Sequence, residues 1–205
     1  QQVNATAKMR VKLSLSPVRN PKAMITLKFK TPDAWAEGVT AAMEVFLPDH
    51  AAAEKKASSM AMTMVSHYPD RHELVTAMID LALEELSHFR AVVKLMHGRG
   101  LILQPDEKDP YVNALRRHCR QGSEFYLMDR LLVAAIVEAR GAERFGMVAA
   151  ALADCDLKPF YEAITRSEQG HEKLCLQFAE KYFDSASVQA RLEELLEAEG
   201  AIVRA

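Results

Sequence analysis

The sequence predicts an all-α protein: a four-helix bundle with additional short helices at the N-terminus, in the mid-chain connection and at the C-terminus. Over most of the chain, apolar residues recur at three- and four-residue spacing, which is the period of an amphipathic helix. Two of these segments carry a Glu-x-x-His pair within the apolar seam, Glu85 with His88 and Glu168 with His171. Residues three apart share one helix face, so each pair points into the bundle. Because a buried, ionised carboxylate needs a partner, the seams predict a polar centre in the core.

The beginning of the chain differs from the rest in charge. Residues 1–30 contain no Asp or Glu, and their basic residues are Lys8, Arg10, Lys12, Arg19, Lys22, Lys28 and Lys30. We therefore predict a basic N-terminal arm at 1–30 and a single bundle domain at 31–205. Such an arm either binds phosphates or forms a disordered tail, and the sequence leaves both interpretations open.

Capping residues and prolines locate the first two helices. Thr31-Pro32-Asp33 combines a Thr N-cap, a Pro at the first helical position and an acid in the first turn. It predicts a helix that runs to about Phe46 and is interrupted at Pro48. A second helix over about 49–66 then carries Glu54 in its apolar seam.

The third helix and the mid-chain connection follow. Asp70-Arg-His-Glu73 has the residues of a capping box and predicts the start of a long helix that ends near Gly98. Residues 98–109 form a connection that is long for a helical bundle. Asp109-Pro110 then starts a short helix that extends to about Arg120.

Three helices complete the prediction. After a break at Gly122-Ser123, a helix of nearly thirty residues carries Glu138 in its seam. The next helix spans about Leu157 to Tyr182. A final amphipathic helix begins at about Ser185. The apolar stripe by which this last helix docks consists of Val188, Leu192, Leu195 and Leu196.

The polar residues of the seams form two copies of one unit. In each copy, a helix with a seam Glu is followed by a turn and a helix with Glu-x-x-His. The six candidate ligands are Glu54, Glu85, His88, Glu138, Glu168 and His171. Four carboxylates and two imidazoles in this arrangement are typical of the di-iron or di-manganese centre of ferritin-like bundles. Nitrogen and oxygen ligands without thiolate favour iron or manganese over structural zinc.

The pseudo-symmetry also predicts how the ligands divide between two metal ions. Glu54, Glu85 and His88 are expected to hold one ion, and the three residues of the second unit are expected to hold the other. Glu85 and Glu168 are the expected bridging carboxylates.

Composition excludes several other classes of protein. The three cysteines include no Cys-x-x-Cys pair, which suits a reducing compartment and offers no disulfide framework or thiolate metal site. The net charge of -2 argues against bulk attraction to nucleic acid. We find no signal peptide and no apolar run long enough to span a bilayer, so we expect a cytoplasmic protein with no membrane partner.

Longer motifs surround the candidate ligands. They are Leu47-Pro-Asp-His-Ala-Ala-Ala-Glu-Lys-Lys-Ala-Ser58, Glu84-Glu-Leu-Ser-His-Phe89, Glu107-Lys-Asp-Pro-Tyr-Val112, the block from Asp129 to Phe145, and Ser167-Glu-Gln-Gly-His-Glu172. Together they closely resemble the MiaE family, the tRNA hydroxylases that act on methylthio-isopentenyl-adenosine beside the anticodon. The resemblance extends from about Thr31 to the end of the fourth ligand helix and does not include the basic arm.

The resemblance implies a function. It implies a non-haem di-iron monooxygenase with two iron ions, dioxygen as co-substrate and two electrons from an unidentified external donor. Its partners would be a tRNA that carries a prenylated adenosine and an electron-transfer protein. For the tRNA contact we predict the arginine cluster Arg116, Arg117 and Arg120.

Other functions use the same six ligands. A ferroxidase or iron-storage protein shares them, usually in a shorter bundle, and a manganese catalase shares the centre itself. A rubrerythrin would add a Cys-x-x-Cys site, which this chain lacks. A non-catalytic RNA-binding bundle would explain the arginines but would have no reason to bury Glu-x-x-His twice.

Overall fold

The computed structural model describes residues 24–122, 124–153 and 155–204, and within these ranges all regular structure is helical. The helices are α1 (Asp33–Ala41), α2 (Met43–His67), α3 (His72–His97), α4 (Pro110–Arg116), α5 (Tyr126–Ala151), α6 (Leu157–Tyr182) and α7 (Ser185–Arg204). The predicted all-α class is thereby confirmed, as are the positions of the helices that carry the candidate ligands.

The four long helices form two hairpins. Short connections join α2 to α3 and α5 to α6, and connections of this length make neighbouring helices antiparallel. The long segment 98–125, which contains α4, crosses from the first hairpin to the second. The apolar core runs between the hairpins, and the predicted stripe of α7 is buried against it. This is the arrangement of a ferritin-like bundle.

The start of the bundle differs from the prediction. The chain bends at Ala42 rather than at Pro48, which lies inside α2. Pro48 removes one backbone hydrogen bond near the start of this helix, and complete burial of the adjacent Leu47 offsets that loss. Thr31 is not the N-cap of α1, because Pro32 takes that position and the Thr31 hydroxyl lies elsewhere.

Two further helix ends were placed wrongly. The predicted capping box at 70–73 is not formed, because α3 begins one residue later with Arg71 as its N-cap and no side chain caps it. The short helix α4 ends at Arg116 and not at Arg120. Its start is as predicted, with the Asp109 side chain accepting a hydrogen bond from the Val112 N–H. The Arg120 N–H donates to Asp129 of α5 instead of continuing the helix.

Part of the predicted basic arm is packed on the bundle. The Ile25 N–H donates to the Glu172 carboxylate over 2.5 Å, and the Phe29 carbonyl accepts a 2.8 Å hydrogen bond from Arg140. These contacts hold residues of the segment 24–30 against α5 and α6. The remainder of the predicted arm lies outside the described residues.

A buried charge network fixes the accessory segments. Arg140 of α5 is 2% exposed and donates to both carboxylate oxygens of Glu199 on α7, over 2.8 and 3.0 Å. It also donates to Glu143, and Glu143 accepts bonds from the N–H and hydroxyl of Thr31. The Tyr111 hydroxyl of α4 donates to Glu199. Arg140 and Glu199 together therefore join α7, α4 and the N-terminal segment to α5.

The long helices do not have the character of membrane spans. Among the helices of the described ranges, none combines the length and the apolar character that crossing a bilayer requires.

Candidate metal centre

The structure brings all six candidate ligands together in the middle of the bundle. Each lies near the centre of a long helix, where the seam turns it inward. Ligand atoms within 4.8 Å of one another form two groups. One group is Glu54, Glu85, His88 and Glu168; the other is Glu85, Glu138, Glu168 and His171. Glu85 and Glu168 belong to both groups, which is the geometry that a bridging carboxylate requires.

Both imidazoles turn the same nitrogen towards the carboxylates. His88 Nδ1 lies 3.4 Å from Glu54 Oε2 and 3.4 Å from Glu85 Oε2. His171 Nδ1 lies 3.0 Å from Glu85 Oε1 and 3.6 Å from Glu138 Oε2. Each Nδ1 therefore faces a space that is bordered by carboxylate oxygens from two helices.

Several of these atoms are buried without a hydrogen-bond partner. They are both carboxylate oxygens of Glu85, one oxygen of Glu168, Nδ1 of His88 and both ring nitrogens of His171. Buried polar atoms are otherwise nearly always satisfied, and each orphan costs about 1–3 kcal/mol. Apart from Nε2 of His171, which faces Glu84, these unpartnered atoms converge on one space and fit a cation, because ligation by metal ions would satisfy them together. The residues present therefore fit a two-metal carboxylate centre.

The electrostatics of the carboxylates reflect burial of like charges. Burial raises the pKa of Glu85 to about 7, with the Glu138 and Glu54 carboxylates adding to the effect of desolvation. Burial and the nearby Glu138 likewise raise the pKa of Glu168 well above its usual range. For Glu54 burial also acts upward, but the hydrogen bond from His50 and the nearby His88 imidazole outweigh it and lower the pKa. Without a metal ion, the two shared carboxylates therefore keep their protons to higher pH than an ordinary glutamate does.

Burial affects the pKa values of the two histidines in the opposite direction from those of the carboxylates. It acts to lower them, but the surrounding carboxylates have the larger effect and raise them. Glu54 and Glu85 raise the pKa of His88 to about 9. Glu138 and Glu85 raise the pKa of His171 to about 11. Protons thus balance the carboxylate charge in the metal-free protein, and metal binding must displace them.

Glu84 lies beside the centre without belonging to either group. Its Oε2 is 3.4 Å from His171 Nε2, across the crevice between α3 and α6. Its other oxygen accepts a 2.5 Å hydrogen bond from the Ser167 hydroxyl. Glu84 therefore spans two ligand helices and can orient the imidazole whose Nδ1 faces the other carboxylates.

His50 is the polar neighbour whose role the sequence did not predict. It is buried in α2, and its Nε2 is 2.6 Å from Glu54 Oε1. Its Nδ1 is 3.3 Å from the hydroxyl of the fully buried Tyr161. A sequence signal existed, because His50 lies four residues before Glu54 in the same seam.

Comparison with known proteins identifies the family. The model of the tRNA-(MS[2]IO[6]A)-hydroxylase (MiaE) family matches residues 19–205. The chain belongs to the MiaE family. A Pseudomonas putida tRNA 2-(methylsulfanyl)-N(6)-isopentenyladenosine(37) hydroxylase is 39% identical over 168 residues, which are 82% of this chain and 81% of that protein. The resemblance seen in the motifs is therefore confirmed.

Other relatives agree with this assignment. A Salmonella typhimurium protein with the same name is 31% identical over 76% of this chain, and the match spans 57% of that longer protein. Among solved structures, a Synechococcus protein with aldehyde deformylating oxygenase activity superposes with a TM-score of 0.82 at 34% identity. That match covers 86% of this chain and 88% of the Synechococcus chain. The predicted ferritin-like bundle is thereby confirmed.

The six residues of the centre differ in how far their side chains are exposed to solvent. The His88 side chain is 13% exposed, whereas Glu85 is 1% exposed and His171 6% exposed. The outer edge of His88 is therefore the part of the cluster nearest to solvent. A separate groove of about 310 Å³ between α5 and α6 is lined by Lys158, Glu162 and Arg166 among others, and by none of the six.

The predicted RNA-contacting arginines lie away from the centre. Arg116, the last residue of α4, and Arg117, which follows it, are exposed. Arg120 makes hydrogen bonds to both carboxylate oxygens of the buried Asp129 and packs over the Phe125 ring. Asp129 precedes Glu138 by two and a half turns, a rise of roughly 14 Å along α5. The Arg120 guanidinium is therefore engaged by the carboxylate of Asp129, whereas Arg116 and Arg117 are exposed on the surface.

Proposed function

We propose that this MiaE-family protein is a cytoplasmic, dioxygen-dependent tRNA hydroxylase. Its substrate is a tRNA with 2-methylthio-N6-isopentenyladenosine next to the anticodon, and it hydroxylates the isopentenyl group with two external electrons. The single observation that carries this proposal is the convergence of two Glu-x-x-His pairs and two further glutamates on a space bordered by orphaned ligand atoms. The names of the Pseudomonas and Salmonella relatives supply the substrate class.

Two iron ions are the proposed cofactor, and the six residues divide between them. Glu54 and His88 would hold one ion, and Glu138 and His171 would hold the other. Glu85 and Glu168 would be shared by both ions, since each belongs to both groups of ligand atoms. The four carboxylates largely neutralise two divalent cations, and each imidazole supplies one nitrogen. When bound and reduced, such an iron pair supplies the two-electron activation of dioxygen that hydroxylation of an unactivated C–H bond requires.

The protein's own residues prepare and protect this chemistry. Nearly complete burial of Glu85 and His171 keeps bulk water from the reacting atoms. The Glu84 carboxylate, 3.4 Å from Nε2 of His171, is placed to orient the ring with Nδ1 directed at the other carboxylates. The apolar seams above and below the ligands exclude competing nucleophiles from the same space.

Only the isopentenyl group of the tRNA substrate, and not the whole anticodon loop, can reach a centre of this kind. An anticodon loop is too bulky to enter the bundle, so the modified base turns outward and only the isopentenyl group approaches the ions. The partly exposed edge of His88 marks the side from which that group arrives. Electrons come from an external electron-transfer partner.

Labelled dioxygen tests the reaction. Reduced, iron-loaded protein is incubated with prenylated tRNA under ¹⁸O₂, and the digested nucleosides are analysed by mass spectrometry. We expect one ¹⁸O atom in the hydroxylated nucleoside. Label drawn from water would contradict the proposal. So would an inert tRNA accompanied by rapid oxidation of free ferrous ion, which would indicate a ferroxidase.

Two control substrates separate the remaining alternatives. Peroxide turnover by protein loaded with manganese would indicate a manganese catalase. An aldehyde tests the activity named for the Synechococcus relative. The proposal requires that prenylated tRNA be turned over in preference to both.

A further inference from the structure

The two halves of the centre are not equivalent. Glu54 and Glu138 each belong to only one of the two groups of ligand atoms, and of these two only Glu54 is hydrogen-bonded to a described residue outside the cluster. Glu54 Oε1 accepts a 2.6 Å hydrogen bond from His50 Nε2, which leaves Oε2 directed at His88. His50 is in turn held by Tyr161, 3.3 Å from its Nδ1. In the neutral ring, Nε2–H donates to the carboxylate and Nδ1 accepts the phenol proton, so both nitrogens are satisfied.

A shell of rings fixes the orientation of His50. The ring centroid of Phe145 is 4.5 Å from that of His50, and those of Tyr161 and Phe46 are 5.6 and 5.9 Å away. His50 itself is 2% exposed. Because this imidazole is buried, bulk water does not compete with Glu54 for its hydrogen bond.

The second hairpin lacks the same support. Position 134 stands four residues before Glu138, as position 50 stands before Glu54, and it holds an alanine. The counterpart of Tyr161, seven residues before the Glu of its Glu-x-x-His pair, is Met78. Neither alanine nor methionine has a side-chain N–H or O–H to donate to Glu138. The two hairpins therefore differ at the residues that would orient these two glutamates.

We infer that His50, supported by Tyr161, is a positioning residue for Glu54. It keeps Glu54 as a one-oxygen ligand, and the metal position on the Glu54 side therefore binds its ion more tightly than the position on the Glu138 side. This inference rests on the proposed two-metal centre. A carboxylate that is already oriented loses less freedom when it binds an ion, and outer hydrogen-bond partners of this kind typically change metal affinity about 10–100-fold. Glu138 has no counterpart of His50 to orient it, so the ion on its side should be bound more weakly.

Calorimetric titration of the full-length, metal-free protein with Fe²⁺ under anaerobic conditions tests this inference. We expect two binding steps of different affinity in the unaltered protein. Glu54→Gln should weaken one step and Glu138→Gln the other, which assigns each step to a side. His50→Phe, which keeps the ring packing but removes the donor, should weaken the Glu54 step about 10–100-fold and leave the other within about threefold.

Two further variants keep the test decisive if His50→Phe does not fold. His50→Gln retains an N–H donor and should recover most of the affinity of the Glu54 step. Tyr161→Phe removes one hydroxyl and should weaken that step several-fold. Thermal melts of the metal-free variants show whether folding is affected.

The possible failures are distinguishable. If the unaltered protein binds no Fe²⁺, the proposed function fails. If it binds two ions, but the variants of His50 and Tyr161 leave the Glu54 step unchanged, the positioning role is wrong and the two-metal centre stands. An equal loss at both steps would also overturn the inference, because it would indicate a general effect on packing.

Discussion

Gly141 of α5 leaves its bare Cα against the carboxylate of Glu168 on α6. A methyl group at position 141 would lie 3.0 Å from Glu168 Oε2 and 3.7 Å from the Phe145 ring. A glycine in the middle of a helix costs about 1 kcal/mol relative to alanine. At this position the missing side chain provides the space that the shared carboxylate occupies.

Replacing this glycine should separate stability from metal binding. In Gly141→Ala, the better helix propensity of alanine should leave the free energy of unfolding of the metal-free protein unchanged or raise it by up to about 1 kcal/mol. The methyl group should displace Glu168, so iron content and tRNA hydroxylation should fall. Gly146→Ala is the matched control in the same helix, because its methyl group would make only an ordinary 3.5 Å contact with Thr165. Equal iron content in both variants would show that the close approach has no role.

The two cluster histidines should be needed for iron and not for folding. His88→Ala or His171→Ala should sharply reduce bound iron and activity, while the helical signal by circular dichroism stays near that of the unaltered protein. Bundle packing supplies most of the stability, which explains the retained fold. His97→Ala, at the exposed end of α3, is the control and should keep full iron content. Full activity in His88→Ala would rule out its assignment as a ligand.

The stability of the metal-free protein should fall as pH rises. The folded pKa of Glu85 is raised to about 7, so the folded state binds more protons than the unfolded state from about pH 4.5 to 7. The folded pKa of His88 is about 9, and this group extends the same excess from about pH 6.5 to 9. In both ranges an excess of bound protons in the folded state means that unfolding becomes easier as pH increases.

Urea unfolding between pH 5 and 9 measures this effect. Iron should reverse the trend, since its ligands must lose protons and binding therefore strengthens as pH rises. A metal-free protein whose stability is constant or increases over this interval would contradict the proposed proton balance.

The three arginines of the predicted RNA contact should behave differently from one another. Arg116 and Arg117 are exposed, and removing their charges should weaken the binding of all tRNAs alike. It should also lower the slope of log affinity against log salt concentration by about one unit per lost phosphate contact. Arg120→Ala should instead destabilise the fold, because Asp129 is buried and loses a charged partner. Binding measured over a salt series, alongside thermal melts, distinguishes these outcomes. An unchanged salt slope in the Arg116 and Arg117 double variant would place the docking face elsewhere.

The buried pair of Arg140 and Glu199 should be the main electrostatic support of α7. Glu199→Ala leaves the guanidinium without its two-point partner and removes the acceptor of Tyr111. We expect a loss of about 3 kcal/mol in the free energy of unfolding, measured with urea. Glu197→Ala, whose side chain is exposed, should change it by less than about 0.5 kcal/mol. Equal losses in the two variants would show that the network contributes no particular stability.

The sequence alone predicted the bundle, its long helices and the six residues that meet in its core. Periodicity explains this success, because spacing along a helix fixes which side chains share a face and the long seams left few alternatives. Local capping signals were less reliable. The residues around Pro48 and at 70–73 are compatible with several helix starts whose free energies differ only slightly. Tertiary packing selected among these starts.

Only the tertiary structure decided which residues from different helices meet. The contact of Glu84 with His171, the bond between Tyr161 and His50, the space at Gly141 and the engagement of Arg120 with Asp129 all join separate elements. Sequence spacing fixes the direction of a side chain around its own helix axis. The rotation and depth of a neighbouring helix depend on the sum of all packing contacts, and no local pattern encodes that sum.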